Sequence, residues 1–187
     1  MSGLNRCSWC EKDDLYRRYH DEEWGIESRD DQHLFEHLIL ETFQAGLSWH
    51  TILSKRENFR RAFDQFNAHK IAQYTEADEA RLMADAGIIR NRQKIKAAIK
   101  NAQTYLRIQK ELGSFSDYLW QFAPTPKRIN SIETWADVVA TTPESDRMSK
   151  QMKKDGFSFV GSTTCYAFMQ AVGMVDDHFN SCWKKPK

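Results

Sequence analysis

The period of the apolar residues most constrains what this chain can fold into. Leu34, Phe35, Leu38, Ile39 and Phe43 recur at helical spacing behind the acidic pair Asp30-Asp31. That spacing lines one side of a 3.6-residue helix, not one face of a strand. The same period returns along the chain. Ser48 stands as an N-cap before a helix running through Ile52, Phe59, Phe63 and Phe66. Thr75, followed by Glu76 and Asp78, opens a short helix ending near Gly87, where glycine accepts the left-handed conformation. Ile95, Ala98, Ile99, Ala102, Tyr105 and Leu106 mark a long helix stopping near Gly113. Thr142-Pro143 sets an N-cap ahead of a first-turn proline and opens a helix to about Asp155. A last helix is predicted from Ser162 to Val172. There is no sustained period-two alternation and no Asn-Gly or Asp-Gly hairpin, so the expected fold class is all-α. Residues 121–142, with Pro124 and Pro126, are the least regular stretch and are expected to form a long surface loop.

A length of 187 residues suits a single domain, spanning 1–187 and built as two packed helical lobes, with room for a sizeable core. No apolar run approaches bilayer length, and the start, Met-Ser-Gly-Leu-Asn-Arg-Cys, lacks the apolar core of a secretory signal. The expectation is a cytoplasmic monomer without membrane contact. Lysine plus arginine number 27 against 26 aspartates and glutamates, so bulk charge carries no nucleic-acid signal and any basic surface must come from uneven distribution. Six tryptophans and eleven phenylalanines are more rings than a core requires, and flat rings suit stacking on bases.

Residues 148–173 read as helix, then Gly156-Phe157-Ser158-Phe159-Val160-Gly161, then helix. Such a turn leaves the second helix's first amides exposed, and a helix N-terminus attracts phosphate. Lys150, Lys153 and Lys154 just upstream add sequence-independent attraction to a DNA backbone. This is a helix-hairpin-helix pattern, with Gly156, Phe157, Ser158, Gly161, Lys153 and Lys154 as candidate DNA contacts, although taken alone a glycine-bounded turn is usually only a turn. A second basic segment, Ala86 to Lys94 with Arg90, Arg92 and Lys94, is a further candidate contact; as an isolated feature it reads as a solvated helix face.

The four cysteines, at 7, 10, 165 and 182, cluster toward the two ends instead of forming a spread disulfide framework. His178 and Cys182, four apart, reach one ion from one helical face or tight turn, and Cys7 and His20 supply two more ligands from the other end. Two thiolates and two imidazoles make a closed tetrahedral set, which points to one structural zinc joining segments 7–20 and 178–182. Cys10 forms a Cys-x-x-Cys pair with Cys7, and spacing does not choose between them.

Several stretches together resemble the 3-methyladenine DNA glycosylase I family of the helix-hairpin-helix superfamily: Cys7-Ser8-Trp9, Leu15-Tyr16 leading to Tyr19-His20-Asp21, Glu23-Trp24-Gly25, Leu40-Glu41 followed by Gln44-Ala45-Gly46-Leu47-Ser48-Trp49, Lys55-Arg56-Glu57-Asn58, Asp85-Ala86-Gly87-Ile88-Ile89-Arg90, Gly156-Phe157 with Phe159-Val160-Gly161, and Asp177-His178 with Cys182. They span nearly the whole chain in order; Thr42-Phe43 departs from the pattern. The resemblance implies a helix-hairpin-helix glycosylase fold in which Cys7, His20, His178 and Cys182 bind zinc and Cys10 does not. It implies that Glu41 contacts the damaged base as the catalytic-site carboxylate, with Trp9, Tyr16, Tyr19, Trp24 and Trp49 around it. It further implies removal of N3-methyladenine from alkylated double-stranded DNA by base flipping, leaving an abasic site.

The chemistry agrees with those residue types. Methylation at N3 makes adenine cationic, which favours indole stacking and a carboxylate partner. The same charge makes the base a good leaving group, so holding it and admitting water suffices. No lysine lies between Gly156 and Gly161 to act as an amine nucleophile, which favours hydrolysis over strand-cutting Schiff-base chemistry. Of the acids after the hairpin, Asp177 is expected to orient His178. Three other readings compete: a non-catalytic DNA-binding module with structural zinc, a zinc hydrolase needing an open metal position, and thiol redox chemistry through Cys7 and Cys10.

Overall fold

The computed structural model describes residues 3–186, so Met1 and Ser2 of the opening stretch lie outside it. Helices dominate: α1 Asp14–Glu22, α2 Asp31–Gln44, α3 Trp49–Ser54, α4 Arg56–Ala62, α5 Ala68–Ile71, α6 Glu76–Ala84, α7 Arg92–Leu112, α8 Phe115–Trp120, α9 Pro143–Lys154 and α10 Ser162–Ala171. Two short strands, β1 Arg128–Ile129 and β2 Val175–Asp176, pair in parallel.

The organising element is α2. Asp30 caps it by accepting from the His33 amide at 2.7 Å, and every residue from Leu34 to Phe43 is buried. A helix covered on all sides is a central one, and α3, α7, α8 and α10 pack around it. The covering forces polar side chains into the interior, and Glu36, His37 and Glu41 are all buried. At its far end, Lys94 of α7 donates to the carbonyls of Phe43 at 2.7 Å and Ala45 at 2.5 Å. Lys94 is therefore engaged by helix-end acceptors, while Arg90 and Arg92 of the same basic segment stay exposed.

The expected helix from Ser48 to Phe66 is broken. Ser48 caps α3 as predicted, but the chain leaves helical geometry at Lys55 and ends in a 3-10 turn at Asp64–Phe66. Asp64, Gln65 and Phe66 all have positive φ, an uncommon conformation for residues other than glycine. Full burial of Phe59, Phe63 and Phe66 compensates, as do hydrogen bonds from Gln32 to the Gln65 and Phe66 carbonyls. The long helix ends at Gly113 with φ +84, as its spacing predicted.

Residues 121–142 are more than a surface loop. They contain β1, the buried Ile132 and a 3-10 turn at Trp135–Asp137. Asn180 fastens them: its amide donates to the Ile132 carbonyl at 2.8 Å and its Oδ1 accepts from the Ile132 amide at 3.1 Å. The hydrophobic residues form a main core around α2 and a small second cluster of Cys7, Ile132, Phe179 and Cys182, against which Trp9, Trp24 and Val138 pack. No described helix is long and apolar enough to cross a membrane.

Candidate active site

A cavity of about 260 Å³ opens where the two clusters meet. Trp9, Tyr16, Tyr19, Trp24, Glu41 and Trp49, the six residues singled out from the sequence, all line it. The rings support one another: Trp9 lies 4.9 Å from Tyr16 and 5.0 Å from Trp24, and Tyr19 lies 5.5 Å from Trp49. The 3-10 turn at Ser8–Cys10 carries Trp9, α1 carries Tyr16 and Tyr19, and the cap of α3 places Trp49.

Glu41 comes from α2, where it is 3% exposed. Its Oε2 has no hydrogen-bonding partner, and burial alone pushes its carboxyl up to about 8. The Trp49 indole N–H is likewise buried without a partner. The cavity thus presents an unused acceptor and an unused donor among aromatic faces, which is what a site for a flat polar heterocycle requires. Burial, with added repulsion from Cys10 and Glu41, pushes the Tyr16 phenol up to about 12, so it stays protonated.

Behind these rings lies a network that sequence reasoning missed. His37, one turn before Glu41, lies near-parallel to both Tyr19 and Trp49, at 6.4 and 6.0 Å. Its Nε2 sits 2.7 Å from Glu23, which also takes two hydrogen bonds from Arg56, at 2.7 and 2.8 Å. Burial opposes ionisation of Glu23, but the hydrogen bonds from His33, His37 and Arg56 outweigh it and hold the carboxyl well below its usual range. Glu23 and Arg56 stood in the quoted motifs, but nothing in the sequence paired them across 33 positions.

The opposite wall was also not foreseen. It holds Ile132, Trp135, Val138, Ala167, Gln170, Asp177 and Phe179, while Gln44 lines the cavity one turn after Glu41 on α2. The structure corrects the role expected of Asp177. Asp176 is the residue that meets His178, Oδ2 to Nδ1 at 3.2 Å. Asp177 instead accepts from Asn130 at 2.6 Å and from Tyr166 and Gln170, both at 2.7 Å, and faces the cavity.

Of the four expected metal ligands, Cys7, His20 and Cys182 place their ligand atoms within 4.8 Å of one another. His178 stands beside them outside that mutual distance, its ring 5.3 Å from that of His20. The donor set fits a soft divalent ion on independent grounds. His178 Nε2 is buried without a partner, while its Nδ1 is held by Asp176. His20 Nδ1 is held by Asp21 at 2.9 Å, which leaves Nε2 facing Cys182 Sγ at 3.4 Å. Both rings thus have the outer hydrogen bond that orients a metal-binding imidazole. Cys10 points elsewhere, donating to the Cys7 carbonyl at 3.1 Å.

In the hairpin, Gly156 has φ +105, a conformation that favours glycine, whereas Gly161 at φ −63 needs none. Lys150, Lys153 and Lys154 are exposed. The Phe157 side chain is buried against Phe115 and Tyr118, so only its backbone is left to meet a ligand. The Ser158 amide already donates to Asn101 at 2.7 Å.

The methyladenine glycosylase family model matches residues 9–185. The chain is 47% identical over 179 residues to DNA-3-methyladenine glycosylase 1 of Escherichia coli (strain K12), covering 96% of each. A crystal structure of 3-methyladenine DNA glycosylase I superposes with a TM-score of 0.94 at 46% identity, over 97% of this chain and 100% of that one. A second, a tyrosine-to-phenylalanine variant of 3-methyladenine DNA glycosylase I in complex with 3-methyladenine, superposes at 0.92 with 38% identity, over 98% and 99%. On its site and on these likenesses together, the chain belongs to the methyladenine glycosylase family.

Proposed function

We propose that the protein is a DNA-3-methyladenine glycosylase that rotates the damaged nucleotide out of alkylated duplex DNA and hydrolyses its N-glycosidic bond. The observation that carries this is Glu41: a buried carboxylate without a partner, set among aromatic faces. Leaving such a group unsatisfied costs about 1–3 kcal/mol, which a cationic base with an amino group recovers and a neutral adenine recovers poorly. Selectivity therefore arises from the charge that the damage creates.

Base flipping costs a few kcal/mol, less for a damaged pair. Stacking on the rings around Glu41 offsets that cost. Asp177, which accepts from Asn130, Tyr166 and Gln170, faces the same cavity as Glu41. When the bond breaks, its electron pair stays on the purine nitrogen and cancels the base's formal charge. Water oxygen then bonds to the sugar carbon and releases a proton. No lysine lines the cavity among the described residues, in keeping with hydrolysis and no lyase step.

Cys7, His20, His178 and Cys182 would hold one zinc ion, whose contribution is a structural cross-link. The pair α9–α10 with its glycine turn serves as a helix-hairpin-helix element, where Lys150, Lys153 and Lys154 and the first amides of α10 meet phosphates of double-stranded DNA. The site needs no second subunit, and a monomer with two packed helical lobes suffices.

The test is release of free methylated purine from alkylated duplex DNA by the wild type and by Glu41→Ala, both shown folded and metal-loaded. Release of 3-methyladenine by the wild type, with a large loss in the variant, supports the assignment. No release by the folded, loaded wild type overturns it in favour of a DNA-binding module; full activity in the variant overturns the role of Glu41 alone.

A further inference from the structure

Trp135 borders the cavity yet is 59% exposed, the most exposed of the large hydrophobic side chains among the described residues. An indole held in water needs a reason. It is not loosely placed: Thr134 caps its turn, and Asp137 Oδ2 accepts from the Thr134 amide at 2.8 Å and the Glu133 amide at 3.1 Å. The ring packs against Phe179, 5.4 Å away and near perpendicular. Phe179 in turn belongs to the wall fastened by Asn180. The structure thus spends a capping box and an aromatic contact on fixing a ring that stays largely solvated.

Depth along the cavity decides what the ring meets. Glu41, 3% exposed, lies at the floor and Trp135 at the mouth. A base still joined to its strand must enter base first, because the sugar is tethered to the duplex; groups at the mouth therefore face the sugar. On the glycosylase reading proposed above, we infer that Trp135 packs against the deoxyribose of the extruded nucleotide and so recognises the nucleotide within DNA, not the free base. The indole face supplies apolar contact to the C–H side of the sugar and keeps the reacting carbon in register with the floor. Trp135 is a positioning residue for a substrate that Glu41 selects.

The experiment compares the wild type, Trp135→Ala and Trp135→Phe in two assays: steady-state excision from alkylated duplex DNA, and equilibrium binding of free 3-methyladenine. For Trp135→Ala, KM for DNA should rise roughly tenfold while the Kd for the free base stays within twofold of wild type. Trp135→Phe should restore most of the loss. Unfolding temperatures of both variants within a few degrees of wild type establish that the folds compare. Unchanged KM in Trp135→Ala, or parallel losses in DNA excision and free-base binding, overturns the inference. A wild type that binds and excises nothing overturns the glycosylase assignment itself, a result distinct from either.

Discussion

A carboxyl pushed up to about 8 by burial, from a usual value near 4.5, holds its proton more tightly in the folded chain than in the unfolded one. Between those two values the folded state binds more protons, so the contribution of Glu41 to stability falls as pH rises, by up to about 1.4 kcal/mol per pH unit. The penalty is absent below about 4.5 and complete above about 8. Glu41→Gln should therefore melt with the wild type near pH 4 and above it by pH 8, a divergence that thermal scans in a pH series will show. Activity runs the other way: the cationic base requires the ionised form, so kcat/KM on alkylated DNA should rise with pH toward about 8, and Glu41→Gln should lack that limb. Two neighbouring acids separate on the same logic. Asp176→Asn should weaken metal retention about 10- to 100-fold by releasing His178, read by competition with a chelator, whereas Asp177→Asn should leave the metal in place and weaken excision. Glu41 was legible only through the resemblance its motif carries, since a lone glutamate on a helix reads first as a surface residue. The division of labour between Asp176 and Asp177 was not, since adjacent residues differ only in the side to which the backbone turns them.

The helices were readable where a start or stop signal and a period coincided: Asp30 before α2, Ser48 before α3, Gly113 after α7, Thr142 before α9. What escaped notice were α1, ahead of the first helix expected, and the short elements. α5 and α8, four and six residues long, hold too few turns to display a period, and the breaks at Lys55 and Asp64–Phe66 occur inside a continuous apolar pattern. Tertiary packing, not local preference, sets them. The opposite cavity wall was hidden for a related reason: residues 131–138 read as a loop because their order comes from Asn180, far along the chain. At this scale Lys94 is the informative residue, since it ties α7 to the end of α2 and to the start of the connection that leads to Trp49 and α3. Lys94→Met leaves two carbonyls without their donor and should cost about 1–3 kcal/mol in urea unfolding, with KM for DNA raised through the loosened loop.

Across the whole molecule, the Cys/His cluster and the cavity share a wall. Phe179 lies between His178 and Cys182, Trp24 packs 4.7 Å from His178, and Trp9 packs 5.3 Å from His20. Extracting the metal from the cluster should thus lower the unfolding temperature and, at temperatures where the chain stays folded, weaken binding of free 3-methyladenine; restoring zinc should restore both. Unchanged base affinity in the folded, metal-stripped protein would show that the cluster braces the chain without shaping the cavity. The order in which these parts are made adds a consequence. Trp9, the tyrosines and Glu41 leave the ribosome early, and α2 can collect its neighbours as they emerge. Asp177, Phe179 and Cys182 follow Glu41 by more than 130 residues, so a nascent chain has a floor for the cavity long before it has the facing wall. Until that segment folds against Trp9 and Trp24 the cavity has Glu41 at its floor and nothing facing it, so the aromatic lining closes only when these distant parts of the chain meet.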